Sequence, residues 1–298
     1  MEKWMQKKSH AILASMVAMV LWGSAIPMIK RTYEILNLVP GDTGAKIFIA
    51  GIRFFLAGVL GFFYYRLSKG EKEEKTKWGF ILGLALVQTS LQYIFYYIGL
   101  SNTQGVKGAI IQSSNAFILV VLSILFIADE EISRKKVLAL VVGSLGIFIS
   151  NYSGNQDFSF RLEGEGFVLL ATIFNAMASV LVRKYGRRQD PLFLSSVQFL
   201  LGALPLIFLG LKTQTHPLVW NPLAILLICY GAFISATAYG LWTFVLKYHS
   251  SSEFSIYKLF IPIFGSLLSV VFLREVLTYR LVLGLALVLL GSLILNKA

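Results

Sequence analysis

Charge is scarce in these 298 residues: Asp, Glu, Lys and Arg together make up 14%, where an ordinary soluble domain is closer to a quarter charged. Cysteine is scarcer still. With Cys229 as its 1 cysteine, the chain forms no intrachain disulfide, and a disulfide scaffold is excluded. The 3 histidines, His10, His216 and His249, stand far apart at the ends of apolar runs, without the spacing of a zinc site. Acids are missing from the middle of every apolar run, since all 15 Asp and Glu fall in tails, loops or run ends. That weighs against an acid-based proton relay and equally against an intramembrane hydrolase, which needs carboxylates, a His pair or a metal. Neither an enzyme nor a cofactor is expected.

Hydrophobic residues fill the space, at 56% of the chain. They form runs near twenty residues, each long enough to cross a bilayer. The runs predict an all-α integral membrane protein with ten transmembrane segments, 11–29, 47–67, 78–100, 106–128, 137–151, 166–182, 191–211, 222–246, 254–273 and 281–295. The connections are short and leave no soluble domain over. Lys3, Lys7 and Lys8 precede the first run, but no small-residue cleavage site follows it. It reads as a retained helix rather than a signal peptide.

The net charge of +12 does not point to nucleic acid, because its distribution is that of a membrane topology. With the N-terminus placed in the cytoplasm, 17 of the 27 Lys and Arg lie on the cytoplasmic side and 8 on the other, leaving Arg53 and Lys258 inside segments. This positive-inside bias puts both termini in the cytoplasm of a plasma-membrane protein. Anionic lipid headgroups are the natural partners of the basic loops.

The two halves repeat each other. "IRFFLAGVLGF" from Ile52 matches "VQFLLGALPLI" from Val197 at an offset of 145 residues, and Glu130/Glu275 and Gly146/Gly291 share that offset. Tyr93 and Tyr239 match at 146. A constant offset across most of a half marks a duplication, with repeats at 1–151 and 152–298. Five segments per repeat is an odd number, so the second repeat enters the membrane from the opposite side. Inverted repeats are typical of secondary transporters, whose substrate sits near the midplane at the repeat interface.

Three motifs carry a family resemblance over nearly the whole chain: "LWGSAIP" at Leu21–Pro27, "IRFFLAG" at Ile52–Gly58 and "IPIFGSLLSVVFLREVLT" at Ile261–Thr278. The sequence resembles the EamA-like transporters of the drug/metabolite transporter superfamily. The resemblance implies a ten-helix exporter or permease for small metabolites, amino acids among them. At the family's proline position the first repeat instead carries Asn115.

Polar groups inside a membrane are costly and mark pathways. Lys258 is the sharpest of them. Pro262, four residues on, lacks the N–H that would bond the Lys258 carbonyl, so a cation, a freed carbonyl and a kink are expected together. Gln112 occupies the pseudo-symmetric place, and inversion would set it facing Lys258 across the repeat interface. The competing reading of Lys258 is a lysine that snorkels to the interface. Segment three offers Gln88, Gln92, Thr89, Tyr93 and Tyr97; at helical spacing Gln88 and Gln92 share one face and the other three share a second. Segment eight offers Ser235, Tyr239 and Trp242. Segment one brings Trp22 and Ser24, with Pro27 freeing the Gly23 carbonyl. With Asn115, these could line a pocket of hydrogen bonds and flat apolar walls; the bland reading is interhelical glue.

Arg53 reads first as structural, reaching the outer interface or pairing with a helix-end acid. Gly143, Gly146, Gly284 and Gly291 would permit close packing within the chain or between protomers of a homodimer. The expected partners are a small-molecule substrate and the bilayer, with no nucleic acid. The expected activity is export of an amino acid or related anionic or zwitterionic metabolite. Two rivals are an organic cation held by Trp22, Tyr93, Tyr239 and Trp242, and a membrane subunit that transports nothing.

Overall fold

The computed structural model describes residues 6–39, 41–68, 77–126, 133–151, 160–186, 189–249 and 254–296. Glu130 and the residues from Lys69 to Thr76 lie outside them. Among the described residues every regular element is helical. In chain order they are α1 (Lys8–Ile35), α2 (Thr43–Leu67), α3 (Trp78–Ser101), α4 (Gly105–Phe126), α5 (Arg134–Asn151), α6 (Leu162–Gly166 then Phe167–Tyr185), α7 (Pro191–Thr213), α8 (Pro222–Tyr248), α9 (Ser255–Leu259 then Phe260–Leu273) and α10 (Tyr279–Asn296). Seven of them, α1 to α4 and α6 to α8, are long and apolar enough to span a bilayer, and α9 and α10 carry shorter apolar stretches. The chain is a multi-pass membrane protein.

Helix starts follow local chemistry. Asp190 and Asn221 cap α7 and α8 through their side chains, and each is followed by a proline at the first helical position. Proline suits that position because its missing N–H would have had no partner there.

Four helices are interrupted. The first five residues of α6, Leu162–Gly166, are π-helical. The middle of α3, Ala85–Leu91, is π-helical. Helix α4 breaks at Ser114, between Gly105–Ser113 and Asn115–Phe126. The Ser113 and Ser114 hydroxyls donate to the carbonyls of Ile110 and Ile111, competing with the main-chain ladder. So α4 is interrupted beside Asn115 although it has no proline there. Helix α9 opens with a 3-10 stretch, Ser255–Leu259, before α-helix begins at Phe260. Pro262 thus stands in the first turn of the α-helical part, where its ring has no preceding α turn to clash with. The expected kink is a change of helix type, and Lys258 lies in the 3-10 part.

Close packing between helices is made by small residues. A Cβ on Gly146 would come 2.6 Å from the Gly284 carbonyl oxygen and 2.9 Å from the Val288 nitrogen, and one on Gly291 would come 2.8 Å from the Gly143 nitrogen. These glycines therefore bring α5 and α10 together inside one chain. Gly146→Leu is expected to lower the apparent thermal midpoint of detergent-solubilised protein sharply, by the equivalent of about 3 kcal/mol, since backbone atoms cannot move aside for overpacking. Gly83→Ala is the control: a Cβ there meets nothing within 4 Å, and its midpoint should hold or rise.

Candidate functional site

The aromatic residues singled out in the sequence converge. The Trp22 ring lies 5.5 Å edge-on from Tyr239 and 6.4 Å from Trp242. Gln88 donates to the Tyr239 hydroxyl at 3.2 Å, and Tyr239 packs edge-on against Phe199 at 5.5 Å. Phe199 touches Phe54, and Phe54 lies 3.9 Å from the Tyr93 ring. Lys258 completes the group, with Nζ 5.1 Å from the centre of the Trp242 ring. Its side chain is exposed while Trp242 is buried, so the cation stands at the open end of an aromatic wall. No acid pairs with Lys258 among the described residues. Helices α1, α3, α8 and α9 each supply part of this wall.

Pro27 contributes to its frame. Gly23, whose carbonyl the proline frees, packs so tightly on α9 that a Cβ there would lie 2.7 Å from Phe264 Cβ and 2.9 Å from the Gly265 nitrogen. Helices α1 and α9 therefore meet backbone to backbone at the level of Trp22.

A second polar group lies across α3. Asn115 donates to the Asn175 side-chain oxygen at 2.9 Å, and Asn175 donates to the Gln92 oxygen at 3.0 Å. The Tyr96 hydroxyl donates to Gln112 at 3.4 Å. The cavity amid these residues is about 10 Å³, room for a single water molecule. Gln112 thus faces Tyr96 rather than Lys258, and the expected pairing of Gln112 with Lys258 is not among the described contacts. Gln88 and Gln92 bond to different helices, Gln88 to Tyr239 on α8 and Gln92 to Asn175 on α6. Thr89 lies against Gly202 on α7, and Tyr93 packs on Phe54. Tyr96 and Asn175 were missed in the sequence; Asn175 had a signal, as an amide in the middle of an apolar run.

Arg53 departs most from expectation. It is buried rather than at an interface, and no acid pairs with it among the described residues. It is 4% exposed, donates from Nη1 to the Tyr97 hydroxyl at 2.9 Å and from Nη2 to Ser235 Oγ at 3.0 Å, and lies 5.1 Å from the Phe54 ring centre. Tyr33 donates to the Tyr97 carbonyl at 3.0 Å and closes the same layer.

The model of the EamA-like transporter family matches this chain twice, over residues 9–152 and 162–297. The chain belongs to the EamA-like transporter family. That places it in the drug/metabolite transporter superfamily, among transporters rather than enzymes. Similar proteins include an uncharacterised transporter of Archaeoglobus fulgidus, 28% identical over 98% of this chain and 97% of that one. A WAT1-related chloroplastic protein of Arabidopsis thaliana is 27% identical over 92% of this chain and 66% of its own length. The S-adenosylmethionine/S-adenosylhomocysteine transporter of Chlamydia trachomatis is 24% identical over 86% and 79%. A solved crystal structure shares the fold, with a TM-score of 0.68 at 17% identity over 97% of this chain and 96% of the other.

In this EamA-like transporter the bundle end opposite Lys258 is tied by buried and half-buried charges. Glu275 accepts from the amides of Gly105 and Val106 at 2.6 and 2.9 Å and pairs with Lys30 at 3.2 Å. Lys30 also donates to the Thr103 carbonyl at 2.6 Å. Glu275 can turn back onto α4 because Arg274 takes a left-handed conformation, φ 54°, which is costly for a residue with a Cβ. Glu165, 3% exposed, accepts from Thr103 Oγ1 at 2.6 Å and from the Arg161 amide at 2.9 Å.

Beside them, Asp42 caps α2 and accepts from the amides of Thr215 and His216. Burial alone would raise its pKa, but the amide hydrogen bonds outweigh it and hold the carboxyl below its ordinary value. Its contribution to stability is therefore complete above the ordinary carboxyl range and is lost as pH falls through the lowered value. Asp42→Asn is expected to flatten the acid limb of a midpoint-versus-pH curve; an unchanged limb would put the acid sensitivity elsewhere.

Proposed function

We propose that the chain moves a small anionic or zwitterionic metabolite, an amino acid or a relative of one, across the plasma membrane by alternating access. Lys258 carries this reading: a cation with no acid partner among the described residues stands at the open end of the wall made by Trp22, Tyr239 and Trp242. A carboxylate would meet Lys258 and Gln88, and an apolar or aromatic side chain would lie against the rings. The S-adenosyl relative supports this, since both compounds in its name carry an amino-acid carboxylate and an aromatic base. An organic cation fits less well, because Lys258 already holds the Trp242 face.

Ten crossings as two inverted five-helix repeats, with both termini cytoplasmic, complete the proposal. The family model's two matches support it, as does the position of the helix breaks. Ser114 in α4 and Phe260, where α9 turns α-helical, lie 146 residues apart, at the repeat offset. Pro27 and Pro262 then lie where the repeats would flex. The test is counterflow into proteoliposomes with labelled amino acids, dicarboxylates, S-adenosylmethionine and quaternary amines. Saturable exchange of a carboxylate-bearing compound is expected. Exchange confined to quaternary amines would overturn the anionic reading, and no exchange in any class would overturn transport of these compounds.

A further inference from the structure

Arg53, like Lys258, has no acid partner among the described residues, and unlike the exposed Lys258 it is buried. Its guanidinium has five N–H donors. One on each Nη is bonded, to Tyr97 and Ser235, while Nε has no partner. Both bonded partners are hydroxyls that accept from Arg53, and among the described residues neither donates onward, so their protons remain to be given. The cluster is a positive charge surrounded by donors. Glycine at 231 lets α8 pack directly on this group: a Cβ there would lie 2.6 Å from Met28 Cε and 2.9 Å from Nε.

As a structural element this arrangement is poor. A buried, unpaired guanidinium raises the energy of the fold, and a neutral side chain of its size would stabilise it better. Its use lies in a state where the charge is met. Position suggests which state. Along α1, Lys258 lies below the level of Trp22, while Met28 and Ile29 line the cleft at Arg53, roughly 9 Å further on at the helical rise. Arg53 is therefore on the far side of the aromatic wall from Lys258, toward the end tied by Glu275. The cavity beside it is about 0 Å³, so it can receive a group only when α1, α2 and α8 part.

We propose that Arg53, with Tyr97 and Ser235, is a second anion-binding station that takes the carboxylate or phosphate group of the cargo once this end of the bundle opens. The proposal rests on the transport reading for its biological use, but the site itself is testable without flux. Full-length protein in lipid nanodiscs is titrated with sodium acetate and sodium phosphate, against acetamide at matched ionic strength, and the thermal midpoint is followed. A saturable rise with an anion, absent with acetamide, is expected. It should persist in Lys258→Met, shift its half-saturation at least tenfold in Arg53→Gln, and at least threefold in Gly231→Ala, which sets a methyl against Nε and keeps the charge.

A parent protein with no saturable rise, or an Arg53→Gln variant that titrates like the parent, overturns the site. If Arg53→Gln does not fold, Gly231→Ala and Ser235→Ala decide, and unchanged half-saturation in both overturns it. Proteoliposome exchange separates the two claims. Exchange with no Arg53-dependent anion effect removes this station and leaves transport standing; an Arg53-dependent effect without exchange removes the transport reading and leaves the anion site.

Discussion

Lys258→Met is expected to weaken binding of a carboxylate-bearing cargo by roughly ten- to a hundredfold, which is the loss of one charge-assisted hydrogen bond of about 1.5–3 kcal/mol. Methionine keeps the length and apolar stem of lysine, so the Trp242 contact survives as a sulfur–aromatic one, and the fold should hold. Removing an exposed charge that has no acid partner also leaves no opposite charge stranded. The thermal midpoint without ligand is therefore expected to stay level while the cargo's half-saturation moves. Lys258→Arg should recover part of the affinity, because the charge returns with a different donor geometry. A variant that binds as well as the parent would show Lys258 to be a snorkelling residue. Trp242→Leu separates the wall from the charge: it should reduce affinity for cargoes with aromatic side chains and spare alanine.

How far this site could be read from the sequence depends on the range of the interaction that makes it. Run length in a membrane is set by bilayer thickness, so α7 was expected at 191–211 and is found at Pro191–Thr213. Tyr239 and Trp242 are three residues apart on one helix, and their common face was legible from helical spacing. Spacing did not show that Gln88 and Gln92 would bond to different helices, α8 and α6, because long amides on one face reach neighbours on either side. Arg53 was misread for a different reason. Its partners lie 44 and 182 residues away, and a single sequence says nothing about which hydroxyls a buried cation will find. The duplication did carry one non-local fact forward. The break in α4 beside Asn115 lies where the Phe260 boundary of α9 would place it, although only the second repeat has the proline.

Glu275→Ala should have the largest effect on the resting structure. The carboxylate serves three partners at once: two main-chain amides at the start of α4 and the Lys30 ammonium. Its charge also opposes the positive end of the α4 dipole. Alanine leaves the Gly105 and Val106 amides uncapped and Lys30, with 19% side-chain exposure, facing no acid in their place. Stranding a mostly buried charge together with two donors costs on the order of 3 kcal/mol. A marked fall in the thermal midpoint is expected, and Glu275→Gln, which keeps an acceptor oxygen but not the charge, should fall less.

The functional consequence follows from where the link sits. Glu275 joins α1, the start of α4 and the α9–α10 turn, the elements that close the end beyond Arg53. Losing it should shift the population toward a form open at that end. Ile26, 2% exposed and packed under Gly105, reports this directly. In a background with Cys229→Ser, a cysteine placed at position 26 should react with a membrane-impermeant maleimide at least tenfold faster in Glu275→Ala than in the parent. Lys30→Met should act in the same direction more weakly, since the two amide bonds to Glu275 remain. Equal labelling rates in all three proteins would mean that Glu275 only stabilises the turn, and that another contact, such as the Thr103–Glu165 hydrogen bond, holds this end shut.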